Sequence, residues 1–91
     1  NQRSQFVGEV KAVHDGWAEV ETKNRFAVGD QLEIIHPSGN RRLRLTQMLG
    51  LDGTPLQVAS GSPLRVRIPL AGPANGALLA RVLQPETIAI K

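Results

Sequence analysis

Short runs of alternating apolar and polar residues, separated by turn residues, account for most of the chain. In residues 17–22, small or apolar side chains alternate with glutamates, and in residues 64–68 Leu, Val and Ile alternate with arginines. An alternation with a period of two is typical of strands that bury one face, and the period of a helix is almost absent. The pattern therefore predicts an all-β domain.

Turn signals separate the predicted strands. An Asp-Gly pair at residues 15–16 suits a tight hairpin, and Pro37 begins a second clear turn. Residues 43–51 could form a short helix instead of strand and loop, and residues 23–30, 49–55 and 70–76 are predicted to be connections. The predicted strands cover residues 6–13, 17–22, 31–35, 41–47, 64–68 and 77–83, with 56–60 as a weaker candidate.

Six or seven short strands with a turn every eight to twelve residues favour one small β-barrel, closed or partly open, because closure removes exposed strand edges. Residues 1–83 are predicted to form this single domain, and residues 84–91 a tail. The chain does not begin with Met, and we interpret it as a domain cut from a longer protein.

Composition excludes several kinds of site from this segment. The chain of 91 residues has no cysteine, so it can hold no disulfide, thiolate zinc site or iron–sulfur cluster of its own. No apolar run approaches the roughly 20 residues of a membrane span. We therefore expect no membrane association and a cytoplasmic location.

Charge is unevenly distributed along the chain. Residues 1–40 carry four basic and six acidic side chains, whereas residues 41–91 carry seven basic and two acidic ones. Alternate residues of a strand share a face, so the arginines of residues 41–47 and of residues 64–68 form two outward pairs. If these strands are neighbours, four guanidinium groups share one surface that suits phosphate. The arginines predicted to contact RNA are Arg41, Arg42, Arg44, Arg65, Arg67 and Arg81, the last facing outward from the closing strand.

A second interpretation of these arginines stays open. Arginines on the outside of a β-barrel can be a solvated face, neutralised across the strands by Glu9, Glu19, Glu21 and Glu33, or a contact with another domain. The chain also has no series of aromatic residues on which bases could stack, with three aromatic residues in all. We therefore expect the isolated domain to bind single-stranded RNA weakly.

Catalytic and metal chemistry are not favoured. Ser38, His36 and Asp30 could be arranged as a nucleophile, a base and an orienting acid, but Ser38 lies in an ordinary Pro-Ser-Gly-Asn turn without a nucleophile elbow. His14 has no second histidine at ligand spacing. We predict that this segment has no catalytic residue and no metal site.

Three stretches resemble a known family: FVGEV at residues 6–10, VETKNRFAVGDQLE at residues 20–33 and PSG at residues 37–39. They are similar to the C-terminal domain of the collagenase-like peptidase family U32. The opening NQRSQFVGE resembles the bacterial branch of that family associated with prephenate-dependent tRNA uridine hydroxylation. The resemblance extends to about residue 83 and is specific in the first half of the chain.

The resemblance implies a small β-barrel similar to those of translation elongation factors, following a catalytic domain whose cysteines hold an iron–sulfur cluster. No catalytic residue can be carried over, because none of those cysteines lies in this chain. The resemblance assigns a role in shaping the barrel to five residues, with Gly29 in a turn conformation closed to other residues and Phe26 and Val28 at one end of the core. The five residues are Asn24, Phe26, Val28, Gly29 and Asp30.

The expected function is that of a non-catalytic accessory module, with its own upstream catalytic domain and tRNA as partners. In this hypothesis the arginines hold tRNA by its phosphates while the catalytic domain hydroxylates a uridine. Two alternatives are a module that binds a peptide for a collagenase-like peptidase, by adding a strand at an open barrel edge, and a structural cap on the catalytic domain.

Overall fold

The chain folds into antiparallel β-sheet, as the alternating pattern predicts. A computed structural model describes residues 3–61 and 64–83, and this part of the chain contains no helix. The short helix considered for residues 43–51 is therefore wrong. The strands are β1 (Arg3–His14), β2 (Trp17–Thr22), β3 (Phe26–Ala27), β4 (Gln31–Ile35), β5 (Arg41–Arg44), β6 (Leu49–Gly50), β7 (Val58–Ala59), β8 (Leu64–Pro69) and β9 (Leu78–Leu83).

Seven of these strands form one sheet in the order β5-β4-β9-β1-β2-β8-β6, and β3 pairs with β7 in a small second sheet. All pairs are antiparallel. Closure of the sheet into a barrel is not confirmed, because β5 and β6 stand at opposite ends of the strand order and no ladder joins them among the described residues.

The two ends of the sheet are joined by the chain itself. Residues 45–48 run directly from β5 to β6, and the side chains of Leu45 and Met48 in this connection are buried. The backbone N–H of Leu45 donates to the carbonyl of Asp30 at 2.9 Å, and the N–H of Gly29 donates to the carbonyl of Leu45 at 2.8 Å. Side chains from this connection, rather than a strand ladder, therefore fill the core between the two edges.

Several predicted boundaries differ from the observed ones. The strand predicted at residues 41–47 ends at Arg44, because the next residue bonds back to the turn before β4. The connections at residues 23–30 and 49–55 contain the two-residue strands β3 and β6, and the candidate at residues 56–60 shortens to β7. Strands this short carry no alternation that could reveal them. The predicted tail at residues 84–91 lies outside the described residues.

One core occupies the concave side of the main sheet. The strands β2, β4 and β8 supply buried side chains at alternate positions, β1 supplies Val7 and Val10, and β9 supplies Leu79. The small second sheet of β3 and β7 supplies Phe26 and Ala59. The aliphatic composition predicts this kind of packing, since Phe26 is the one aromatic side chain buried in the described part of the chain. In that part, no helix is long and apolar enough to cross a bilayer.

The long strand β1 organises the sheet, because it pairs with β2 on one side and with β9 on the other. Its register shifts at two bulges, one between Phe6 and Gly8 and one between Val10 and Ala12. Bulges bend a strand and increase its twist, so β1 can curve the sheet around the core. At Gly8 the backbone of β2 approaches so closely that a Cβ atom would lie 2.8 Å from the carbonyl oxygen of Glu21.

We predict that Gly8→Ala lowers the free energy of unfolding by about 1–3 kcal/mol, because the added methyl group must displace backbone rather than a flexible side chain. The measurement is urea unfolding followed by the fluorescence of Trp17. Gly61→Ala is the control, since a Cβ atom there would meet its nearest neighbour at 3.8 Å. Equal stability of the two variants would contradict the close approach described for Gly8.

Candidate nucleic-acid interface

The two arginine pairs predicted from the sequence lie on different parts of the sheet. Strands β4, β9, β1 and β2 separate β5, which carries Arg42 and Arg44, from β8, which carries Arg65 and Arg67. All four side chains are exposed. The adjacency that would have brought four guanidinium groups onto neighbouring strands is therefore absent, and each pair has its own electrostatic environment.

The arginines of β8 face glutamates. In the ladder between β2 and β8, Arg67 lies opposite Glu19 and Arg65 lies opposite Glu21. Nη1 of Arg65 is 3.1 Å from Oε1 of Glu19. On this face the positive charge of β8 is largely neutralised across the strands, as the interpretation of a solvated face predicts.

The same mixed-charge pattern continues across β1 and β2. Lys11 Nζ lies 3.4 Å from a carboxylate oxygen of Glu9 and 3.6 Å from one of Glu21, and Lys23 Nζ lies 3.8 Å from Glu21. Exposed ion pairs of this kind contribute little to stability. Their consequence here is that carboxylates lie between the basic side chains on the outer face of β1, β2 and β8.

A carboxylate on the β6 side adds to this effect. Oδ1 of Asp52 accepts the backbone N–H of Thr54 at 3.0 Å, and this hydrogen bond holds the pKa of the exposed carboxyl below its ordinary value. Asp52 lines a surface groove with Arg65. The Asp52 carboxylate, beside Arg65, therefore stays ionised to lower pH than an ordinary aspartate.

On β5, one of the two exposed arginines faces a carboxylate across the strand pair. Arg42 lies opposite Glu33 and Arg44 opposite Gln31, on the outer face of the sheet. Neither guanidinium forms an ion pair with a carboxylate in residues 3–61 and 64–83. Nη1 of Arg44 donates to the carbonyl oxygen of Gly29 at 2.8 Å, a bond that uses one of the five N–H donors of the guanidinium.

Arg81 adjoins Arg44 but does not face outward as predicted. It lies opposite Leu32 and two residues from Leu79, both buried in the core, so its side chain belongs to the core-facing side of β9. Nη2 donates to Oε1 of Gln5 at 3.1 Å, and the buried Nε has no hydrogen-bond partner among the described residues. Arg44 and Arg81 line one groove of about 470 Å³ beside the turn that precedes β4.

Arg41 has a structural environment. It lies opposite Ile34 on the core-facing side of β5, and its guanidinium donates to the carbonyl oxygen of Ala71 and, at 3.0 Å, to that of Pro73. These bonds join the edge strand to the loop between β8 and β9. Of the two exposed arginine pairs, the β5 pair Arg42 and Arg44 is the one that forms no ion pair in the described part of the chain, and Arg81 lies beside Arg44.

The five residues that the family resemblance assigned to barrel shaping surround the turn that supports Arg44. Gly29 has a φ of 101°, a region that favours glycine, and the side chain of Asp30 accepts the N–H of Ala27 at 2.8 Å. Nδ2 of Asn24 donates to the carbonyl of Phe6 at 2.7 Å. Phe26 is buried in the core, and Val28 packs against it.

The triad considered from the sequence is not assembled. Nδ1 of His36 lies 2.7 Å from Oγ of Ser38 and accepts the backbone N–H of Ser38 at 3.0 Å, so these two residues stabilise an exposed turn. Asp30 bonds instead to the backbone of its own turn. Within the described residues, no group of three or more His, Asp or Glu side chains is placed to hold a metal ion.

Comparison with known proteins identifies the class to which this domain belongs. The sequence pattern of the peptidase family U32 C-terminal domain matches residues 2–81. The chain therefore belongs to that family, as its motifs indicate.

Two relatives carry a more particular name. The chain is 38% identical over 90 residues to tRNA hydroxylation protein P of Escherichia coli strain K12, an alignment that covers 96% of this chain and 20% of the relative. It is 36% identical to tRNA hydroxylation protein P of Haemophilus influenzae over 87 residues, covering 91% and 19%. The chain thus spans about a fifth of the length of either relative.

Solved structures support the fold. The C-terminal domain of a U32 peptidase from Geobacillus thermoleovorans superposes with a TM-score of 0.78 at 24% identity, over 88% of this chain and 93% of that one. Its selenomethionine variant gives a TM-score of 0.77 at 25% identity, over 85% and 98%. The overall fold described above is therefore shared with this crystallised domain.

We predict that Arg41→Lys lowers the free energy of unfolding by about 1 kcal/mol, because lysine cannot reproduce both hydrogen bonds to the loop between β8 and β9. The charge is preserved, so RNA binding should change less than about twofold. Urea unfolding and an RNA titration of the same preparation measure the two effects. A drop in RNA affinity without a drop in stability would contradict the structural role of Arg41.

Proposed function

We propose that this domain is the accessory, RNA-positioning module of a protein that hydroxylates tRNA, and that the chemistry takes place in another part of the polypeptide. The name of the two relatives supports the substrate class. The chain has no cysteine, so it supplies no thiolate ligand to the iron–sulfur cluster implied by the family resemblance. Its own contribution would be binding, in the cytoplasm where tRNA is modified.

The observation that carries this proposal is the contrast between the two arginine pairs. On β5, Arg42 faces Glu33, Arg44 faces the neutral Gln31, and neither guanidinium forms an ion pair among the described residues. On β8, Arg65 and Arg67 both face glutamates, and Arg65 forms an ion pair with Glu19. A guanidinium already engaged with a carboxylate must break that interaction before it can bind a phosphate, so Arg65 requires this exchange and the β5 pair does not.

Phosphate contacts from β5 would hold the RNA without reading its bases. Each guanidinium offers donors in a planar fork that matches a phosphate, and residues two apart on a strand are separated by about 7 Å. In this proposal the turn at Gly29 also positions Arg44, because the carbonyl oxygen of Gly29 accepts a hydrogen bond from the Arg44 guanidinium. Selection of the modified uridine would belong to the rest of the protein.

A second candidate is peptide binding by strand addition at the free edge of β5. This strand has one neighbour in the sheet, and Arg41, Arg42 and Leu43 line a groove with the loop after β8. A peptide bound through backbone hydrogen bonds would depend little on salt. A purely structural cap would bind neither peptide nor RNA.

The deciding experiment compares two matched charge reversals in the full-length protein: Arg42→Glu with Arg44→Glu on β5, and Arg65→Glu with Arg67→Glu on β8. We expect the β5 variant to bind tRNA at least about tenfold more weakly at low salt. For this variant, the slope of log K against the logarithm of the salt concentration should be shallower, by about 0.7–0.9 for each phosphate that the variant no longer neutralises. We expect the β8 variant to retain its affinity within about threefold.

Circular dichroism and thermal unfolding of both variants show whether the domain remains folded. Equal decreases of affinity in the two variants would attribute the effect to net charge and contradict a specific role for β5. Unchanged binding in the β5 variant would contradict the proposal outright. A wild-type protein that binds a peptide independently of salt, but no tRNA, would favour strand addition.

A further inference from the structure

The outer face of β4, β9 and β1 carries an apolar strip. On β9, alternate residues 78, 80 and 82 are Leu, Ala and Val, and they point away from the core-facing Leu79. Leu78 lies between Ile35 of β4 and Glu9 of β1, and the register places Ala80 between Glu33 and Phe6. We call the set Phe6, Ile35, Leu78, Ala80 and Val82 the apolar strip.

The strip is distinct from the core. Ala80 and Val82 are buried, yet they are not among the residues of the core cluster. Phe6 and Leu78 are each 43% exposed, and Ile35 is 36% exposed. Three large, partly exposed apolar side chains therefore lie on neighbouring strands of one face. A single exposed apolar residue is normal on a protein surface, but a group of three on one face requires an explanation.

We propose that the apolar strip is the docking face for another domain of the same polypeptide. Stable association between separate proteins buries about 800 Å² on each partner, and three partly exposed side chains are a small part of such an area. A domain on the same chain needs less, because the tether raises the effective concentration to about the millimolar range. Both named relatives are about five times as long as this chain, so proteins of this kind contain further domains.

The charges at the border of the strip define the partner surface. Glu33 lies between Ala80 and Arg42 and has no ion pair in the described part of the chain, and Glu9 flanks Leu78 on the other side. The docked surface is therefore apolar at its centre, with lysine or arginine side chains placed to meet Glu33.

Docking on this strip leaves the arginines of β5 at the edge of the interface. In the pair formed by β4 and β5, Arg42 lies directly opposite Glu33, and Arg44 lies opposite Gln31, two residues further along. A partner seated on β9 would therefore end close to both guanidinium groups. Docking itself does not depend on RNA binding, since it requires the apolar side chains alone.

The test uses the absence of native cysteine from this chain, because any labelled thiol in peptides of this domain is then the introduced one. One thiol is introduced into this domain of the full-length protein by Leu78→Cys in the strip and, as a matched control, by Val58→Cys on β7. The two native side chains are 43% and 39% exposed in the isolated domain structure. The rate of maleimide labelling at each position is measured by peptide mass spectrometry, in native buffer and in urea.

We expect the thiol at position 78 to react at least about tenfold more slowly than the thiol at position 58 in native buffer, and at the same rate in urea. Equal native rates would overturn the proposal. Protection at position 78 that disappears on dilution would also overturn it, because a second copy would then be covering the strip. Neither result bears on the tRNA titrations, so the two proposals fail independently.

Discussion

The structure depends on a pair of reciprocal backbone hydrogen bonds between the turn at Gly29 and Asp30 and the residue that follows β5. The N–H of Gly29 donates to Leu45, and the N–H of Leu45 donates to Asp30. This pair ends β5 after four residues, and the Leu45 side chain enters the core. It also fixes β5 beside β4, at the end of the sheet opposite β6. The positions of the edge strand, the core connection and the basic side chains all follow from it.

The electrostatic consequence is a division of the arginines that composition alone does not reveal. Pairing with β2 brings Arg65 and Arg67 against glutamates, while pairing with β4 leaves Arg44 opposite the neutral Gln31. Arg42 faces Glu33 without forming an ion pair in the described residues. The sum of charges in the second half of the chain is therefore a poor guide to binding, because cross-strand partners decide which cations remain available.

Alternation along the sequence was enough to predict the β class and six of the seven strands of the main sheet. It could not predict their order, because order depends on which distant strands pair. Arg81 illustrates this: alternation predicts that its side chain lies on the outer face, whereas its pairing with Leu32 places it on the core-facing side of the sheet. The sequence does not predict the apolar strip either. Leu78 and Phe6 are far apart in the sequence, and they share a face because β9 pairs with β1.

The proposed function assigns the contact with RNA phosphates to the β5 face rather than to the β8 face. Cross-linking of the full-length protein to tRNA, with mass spectrometric mapping of the modified peptides, distinguishes the two faces. We expect cross-links in peptides that contain Arg42 and Arg44, together with the neighbouring part of β9. Cross-links concentrated on β8 at Arg65 and Arg67, with none on β5, would show that the exposed pair on β5 is not the RNA contact.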